Sequence, residues 1–134
     1  MNRQRRLFFV FVALALASFA CGSRIFEKPH VYANPPQPLA EVYDSSTDRI
    51  LGENAWVFRP DGTFEARLET NGERLHLSGT YDGDDTGSGF FFFLDTDGDG
   101  QSDDQVLLDT ENDAYSYIEW QAEAGTPVRY WLAE

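Results

Sequence analysis

The chain has 134 residues, which suits one folded domain, and 23 acidic side chains against 10 basic ones give it a net charge of −13. This balance argues against nucleic acid as a partner, because phosphate binding needs clustered Lys and Arg. A single cysteine excludes an intrachain disulfide and a cysteine-based zinc site. Aromatic residues make up 15% of the chain, far more than an acidic disordered chain would contain.

The first twenty residues are predicted to be an export signal. Three arginines among the first six residues precede an apolar run from Leu7 to Ala20. That run is too short to span a bilayer, since spanning takes about 20 residues. A basic start, a short apolar stretch and small residues at its end are typical of a secretory signal peptide. Residues 1–20 are therefore expected to be removed.

The only cysteine, Cys21, stands directly after the predicted cleavage site. The run Ser18-Phe19-Ala20-Cys21 resembles a bacterial lipobox, in which the cysteine after the cut is lipidated and becomes the new N-terminus. The resemblance implies a lipoprotein attached to a membrane through Cys21, and Gly22 in place of Asp implies the outer membrane. Cleavage by ordinary signal peptidase would instead leave a soluble, secreted or periplasmic protein, which is the alternative.

Loss of the signal makes the chain more acidic. Three of the ten basic residues leave with it, so seven remain against 23 acidic ones, a net charge of −16. Such a surface repels anionic lipid head groups and favours cations. Membrane attachment is therefore expected to come from acyl chains and not from a basic patch.

Residues 21–38 are predicted to be a lipidated N-terminus followed by an extended, semi-rigid tether. Four prolines fall between Pro29 and Pro38, and proline fixes φ and removes an amide donor. The alternative is that Ile25 and Val31-Tyr32 pack along the edge of the domain. His30 is predicted to be exposed and without a special role.

Residues 39–134 are predicted to form an all-β domain, a small antiparallel meander that closes as a barrel or a sandwich of seven to eight strands. Turn signals recur every 8 to 14 residues from Asn54 onward, and Asn71-Gly72 favours a type I′ hairpin. Strands are predicted over residues 55–59, 63–69, 73–81, 90–94, 105–109, 114–120 and 127–133, and residues 41–51 hold one more strand or a helical turn.

Alternation within the strands assigns most side chains to a face, but not all of them. Strand 90–94 is apolar on both faces, so it is either covered on both sides or lines a barrel. In strand 114–120, either Tyr115 and Tyr117 or Ile118 and Trp120 face the core, and the other pair is then an exposed apolar candidate. His76 is predicted to point to solvent and to pair with neighbouring carboxylates.

An acidic segment, residues 95–104, has the spacing of a calcium loop. Its ligand positions 1, 3, 5, 7 and 9 fall on Asp95, Asp97, Asp99, Gln101 (through its backbone carbonyl) and Asp103. A glycine follows at position 6, where the loop needs a sharp turn. Calcium takes six to eight hard oxygen ligands, and alternate residues of a tight loop can aim theirs inward. The alternative is a solvated acidic hairpin loop.

The segment resembles the Asp-rich calcium loops of dockerins and thrombospondin type 3 repeats, which share this Asp-x-Asp-x-Asp-Gly pattern. It departs from an EF-hand at position 12, where Val106 replaces the bidentate carboxylate. Candidates for the missing ligand are Asp104, Asp109, Glu111, Asp84 and Asp85. Because one ligand is absent, the dissociation constant for calcium is expected to lie in the extracellular range, about 10⁻⁴ to 10⁻³ M. The ion is expected to be structural and to clamp the loop between two strands.

The run from Trp56 to Phe64, followed by Ser78-Gly79-Thr80-Tyr81, resembles the opening of bacterial lipocalin-like (calycin-type) domains. The resemblance implies an antiparallel barrel with an apolar interior, which in some members binds a small hydrophobic ligand. The many aromatic residues could equally fill the interior.

Catalytic signatures are weak. The chain has no Gly-x-Ser-x-Gly elbow and only two histidines, so no catalytic residue is assigned and the protein is not expected to be an enzyme. The first hypothesis is an exported lipoprotein whose calcium-stabilised β domain is a binding or structural module, with an envelope protein as a possible partner. The second is a lipocalin-like carrier of a small apolar ligand. The third is a hydrolase that uses loop carboxylates.

Overall fold

The computed structural model describes residues 26–110, 115–122 and 125–134, so the predicted signal and Cys21 lie outside the described residues. The elements are, in chain order, β1 (His30–Ala33), α1 (Leu39–Val42), β2 (Tyr43–Asp44), β3 (Arg49–Ile50), β4 (Ala55–Phe58), β5 (Thr63–Thr70), β6 (Glu73–Asp85), β7 (Phe90–Asp95), β8 (Asp104–Leu108), β9 (Tyr117–Trp120) and β10 (Val128–Leu132). Strands β9, β10, β1, β4, β5, β6, β7 and β8 close, in that order, into an antiparallel barrel. The prediction of a small all-β meander barrel is confirmed.

The β5–β6 hairpin follows from the sequence pattern. Phe64, Ala66 and Leu68 alternate along β5 and are buried. Asn71 and Gly72 both have positive φ, 53° and 80°, as a type I′ turn requires. The predicted hairpin and its inward face are therefore confirmed.

Strand β6 is long enough to pair with two strands, one after the other along its length. Its first part pairs with β5 and its second part pairs with β7. Thr80 is the one residue that pairs with both, opposite Thr63 on β5 and Asp95 on β7. The strand therefore joins the two ladders at a single position.

Aromatic side chains fill the barrel interior. Trp56 and Phe58 are fully buried and stack with ring centroids 5.8 Å apart. Phe92 lies 4.8 Å from Phe58 and 5.0 Å from Tyr81 between ring centroids. Rings at these separations are in contact, so the middle of the barrel is packed with side chains.

The open question of the β9 face is settled by burial. Ile118 and Trp120 are buried and face the interior, whereas Tyr117 lies on the outer wall. There the Arg129 guanidinium carbon lies 3.9 Å from the Tyr117 ring centroid, and Trp131 packs edge-on at 5.4 Å. Of the tyrosine pair, only Tyr117 therefore faces outward, because Tyr115 precedes β9 and packs against the core.

A second hydrophobic cluster covers the outer faces of β1 and β4. Ala55 and Val57 point away from the interior and yet are fully buried. They are covered by α1 and by the small β2–β3 sheet, which contribute Val42, Tyr43 and Ile50. The segment predicted as one strand or a helical turn is thus a helical turn followed by a two-stranded lid on the barrel wall.

The prediction of a free tether is wrong from Phe26 onward. Phe26, Val31 and Tyr32 are buried, and residues 30–33 form β1, which pairs with β10 and β4 and closes the barrel. The prolines flank this strand and do not interrupt it, so its ladder hydrogen bonds are kept. The alternative, in which Val31 and Tyr32 pack along the domain edge, understates their burial, because Tyr32 lies in the core.

His30 is not the exposed side chain that the sequence suggests. Its ring stacks on that of Phe26, with centroids 3.7 Å apart and planes 10° from parallel. Burial lowers the pKa of His30 and outweighs the hydrogen bond that its Nδ1 forms with the Lys28 carbonyl. His76, in contrast, lies on the surface as predicted, with Nε2 2.9 Å from a Glu65 carboxylate oxygen.

Because the strands alternate in direction, the connections collect at two ends of the barrel. The first, here called the loop end, carries the turn at 71–72, the loop at 96–103 and the β9–β10 connection. The second, the base end, carries the chain entry at residues 26–29, the loop at 86–89 and the last residues, 133–134.

Candidate metal centre

The acidic loop connects β7 to β8 at the loop end of the barrel. Asp95 is the last residue of β7, and the hairpin closes through a hydrogen bond of 2.8 Å from the Asp103 amide to the Leu94 carbonyl. Gly98 and Gly100 have φ of 79° and 84°, a region that glycine enters without steric cost. The glycines therefore let the loop turn sharply directly between its aspartates.

Three of the predicted ligands converge. One carboxylate oxygen from each of Asp95, Asp97 and Asp99 lies within 4.8 Å of the others. Asp95 is half-buried, and the other two are exposed. Oxygens this close to one another surround a space that a hard cation such as Ca²⁺ can enter.

Backbone amides of the loop hold these carboxylates in place. Asp95 accepts hydrogen bonds from the Gly98 amide (2.9 Å) and the Gly100 amide (2.8 Å). Asp97 accepts one from the Asp99 amide at 3.1 Å. The carboxylates are therefore oriented by the loop itself.

The charges of the cluster affect two of its carboxyl groups differently. Desolvation raises the pKa of Asp95, but amide hydrogen bonds from Gly100 and Gly98 outweigh it and lower that pKa overall. For Asp97, the Asp99 amide lowers the pKa, yet the neighbouring carboxyl groups of Asp99 and Asp95 and desolvation together raise it. Ionised Asp97 is thus disfavoured by its neighbours, and a cation would relieve that cost.

Asp103, predicted at position 9, is not part of the cluster in this structure. Its carboxylate accepts a hydrogen bond from the Thr96 hydroxyl at 2.8 Å and also contacts the Thr96 amide at 3.3 Å. The amide and hydroxyl of Thr96 thus hold it away from the three converged carboxylates. For Gln101, the amide donates to Asp99 at 2.8 Å, and a role for its carbonyl as a ligand stays a prediction.

The candidates for the missing twelfth-position ligand are narrowed by the fold. Asp104 accepts a hydrogen bond from the Trp120 indole at 3.0 Å, and Asp109 accepts one from Ser116 at 2.6 Å. Asp85 pairs with Phe90, five residues along β7 from Asp95 and so roughly 17 Å away. Asp84 and Asp85 are therefore too far away to supply the missing ligand. Glu111 lies outside the described residues. Val106, which occupies position 12 itself, is buried in β8.

Two acidic side chains that the sequence does not connect share a groove beside this loop. The groove has a volume of about 340 Å³ on the outer wall, and both Asp104 and Glu119 line it. Asp104 is engaged by the Trp120 indole, and Glu119 is 2.6 Å from the Arg129 guanidinium. Strand register brings them together, which no local motif signals.

No protein-family model, curated protein or solved structure is significantly similar to the chain. In the part of the chain that the structure describes, no helix is both long enough and apolar enough to cross a membrane.

Proposed function

We propose that this chain is an exported lipoprotein, anchored to a membrane by acyl chains on Cys21, whose barrel carries a structural calcium ion and acts as a binding or structural module. The basic start, the short apolar run and the single cysteine directly after it support the anchor. Gly22 favours the outer membrane of a two-membrane cell.

The observation that carries the calcium assignment is the convergence of Asp95, Asp97 and Asp99. At separations near 5 Å, each pair of ionised carboxylates repels by roughly 3 kcal/mol at an effective dielectric of about 20. The three side chains nevertheless point together, because loop amides donate to all three, the Gln101 amide to Asp99. A divalent ion converts this repulsion into attraction, with Gln101 and water completing its shell.

The position of the loop supports a structural role for the ion. Asp95 ends β7, which pairs with β6 on one side and β8 on the other. An ion held at this residue fixes the β7–β8 hairpin at its turn. The ion would therefore stabilise the folded barrel and order the outer-wall groove beside it.

The alternative of a lipocalin-like carrier has less support. Carriers need an apolar cavity of about 300 Å³ or more, and here the Phe58 ring contacts both Trp56 and Phe92 inside the barrel. A filled interior favours a module that presents its outer surface. The hydrolase alternative also has less support, because Asp104 and Glu119 are both engaged by neighbouring donors.

Calorimetry on the mature protein tests the calcium assignment. We expect Ca²⁺ binding with Kd of about 10⁻⁴ to 10⁻³ M. At 10 mM Ca²⁺, binding to the folded state alone then raises the free energy of unfolding by about 1–3 kcal/mol, measurable by urea denaturation. The double variant Asp97→Ala with Asp99→Ala should lose both effects.

The matched control is Asp84→Ala with Asp85→Ala, which removes the same charge from the end of β6, where that strand pairs with the start of β7. This control should bind Ca²⁺ like the wild type. If the wild type unfolds at the same urea concentration with and without Ca²⁺, or if both double variants bind equally, the assignment is wrong.

A further inference from the structure

We propose that the base end of the barrel rests on the membrane surface, with Leu39 and Leu51 against phospholipid head groups and the acidic loop (residues 95–104) pointing away. The inference rests on the proposed lipid anchor at Cys21. Beyond the anchor, the inference states how the domain is oriented on the membrane, and it names a lipid surface as what covers one face of the domain.

The first argument is the length of chain between the anchor and the fold. Phe26 is 2% exposed and packs edge-on against Phe92 and Tyr115, with ring centroids 5.7 and 6.0 Å away. Residues 22–25 alone separate it from Cys21. Even fully extended, this connection spans at most about 17 Å. The short distance holds the base end close to the lipid.

The second argument is the apolar surface at that end. Leu51 is 44% exposed, the largest exposure of a large apolar side chain among the described residues. It lines a groove of about 550 Å³ together with Leu39 and Tyr43. Leu39 also lines the adjoining groove of about 350 Å³, beside Lys28 and His30. The two grooves form one face next to the chain entry.

The third argument is topology. The acidic loop follows β7, and the chain entry precedes β1, so the two lie at opposite ends of the barrel. A strand of six residues such as Phe90–Asp95 spans about 20 Å. With the base end on the lipid, the loop end is therefore held well clear of it.

Charge limits the kind of lipid surface that fits this face. Lys28 is accompanied by Glu27, and Asp44 and Glu134 line the grooves, so the face is not basic. Anionic lipids would be repelled, and zwitterionic head groups suit it better. The acyl chains attach the protein to the membrane, and the apolar face determines which side of the barrel contacts the lipid.

Depth-dependent fluorescence quenching tests this orientation. The lipidated protein is reconstituted into phosphatidylcholine vesicles that contain some lipid spin-labelled on its head group. Because Cys21 carries the lipid, one engineered cysteine is the single free thiol for a fluorophore. We compare Leu51→Cys, on the proposed face, with Glu73→Cys, which is exposed at the loop end. We expect several-fold stronger quenching at position 51.

Two preliminary measurements separate this proposal from the anchor on which it rests. Mass spectrometry should find the acyl chains on Cys21, and the protein should float with the vesicles. A protein that is not lipidated and does not float overturns the anchor and the orientation together.

If the protein floats, the quenching result decides the orientation alone. Equal quenching at positions 51 and 73, or stronger quenching at 73, overturns it. A label at 51 that neither the vesicle quencher nor aqueous iodide reaches shows that a protein covers the face, which also overturns it. Circular dichroism of both variants verifies that the barrel is folded.

Discussion

At Gly79 the backbone of β6 touches the backbone that begins the acidic loop. A Cβ atom at this position would lie 1.9 Å from the Asp95 carbonyl oxygen, and the φ of Gly79 is +153°. No side chain fits there unless Asp95 moves. Gly79 thus fixes where the first residue of the carboxylate cluster stands.

We therefore expect Gly79→Ala to cost the roughly 1–3 kcal/mol that is usual for overpacking in addition to the cost of its positive φ, and so more than the control. Calcium binding should weaken in the same variant, because Asp95 must shift. The control is Gly72→Ala, whose added Cβ meets nothing within 4 Å and which costs only the left-handed backbone, about 1–2 kcal/mol. Equal losses of stability in urea denaturation would contradict the close approach.

Asp61 gives the fold a dependence on pH at the turn between β4 and β5. Its carboxylate accepts hydrogen bonds from the Thr63 hydroxyl (2.7 Å) and amide (2.9 Å), which lower its pKa below the ordinary 3.8. A lowered folded-state pKa means that the ionised form stabilises the fold. That contribution is complete above pH 3.8 and is lost as pH falls through the lowered pKa.

The stability difference between wild type and Asp61→Asn should follow this window. We expect it to be constant from neutral pH down to the ordinary carboxyl range and to shrink at lower pH. Urea denaturation at a series of pH values measures it. A difference that stays unchanged in acid would show that the charge of Asp61 contributes nothing.

At the scale of elements, the segment that leads into β1 seals the base end of the barrel. Phe26 is buried between His30, Phe92 and Tyr115. We expect Phe26→Ala to cost about 3–5 kcal/mol, as for other buried phenylalanines. Phe91→Ala, on the half-buried outer wall, is the control and should cost clearly less. Similar midpoints in urea would mean that Phe26 is not part of the core.

Strand β1 shows where prediction from local pattern fails. It has four residues, follows Pro29 and precedes Pro35, so its composition is typical of a linker. Its partners, β4 and β10, are distant in sequence, and only the closing of the barrel buries Val31 and Tyr32. A strand stabilised by such long-range pairing leaves little local signal. The β5–β6 hairpin, whose partners are adjacent and joined by Asn71-Gly72, was predictable for the opposite reason.

At the scale of the whole molecule, periodicity predicted an antiparallel meander because most neighbours in the sheet are neighbours in sequence. It could not choose the inner face of β9, where both faces carry large apolar side chains such as Tyr117 and Trp120. In the acidic loop, spacing predicted the three converging aspartates. The position of Asp103 was not predictable, because it depends on which donors Thr96 presents.

The pairing of β6 has a consequence for how the barrel bends. Since Thr80 pairs with both Thr63 on β5 and Asp95 on β7, the two ladders of β6 overlap at this residue alone. Bending of β6 at this residue would change the angle between the two hairpins without breaking the pairs of either. An ion bound at Asp95 would limit this bending, so calcium would slow amide hydrogen exchange most strongly next to Thr80 and least at the distant 86–89 turn.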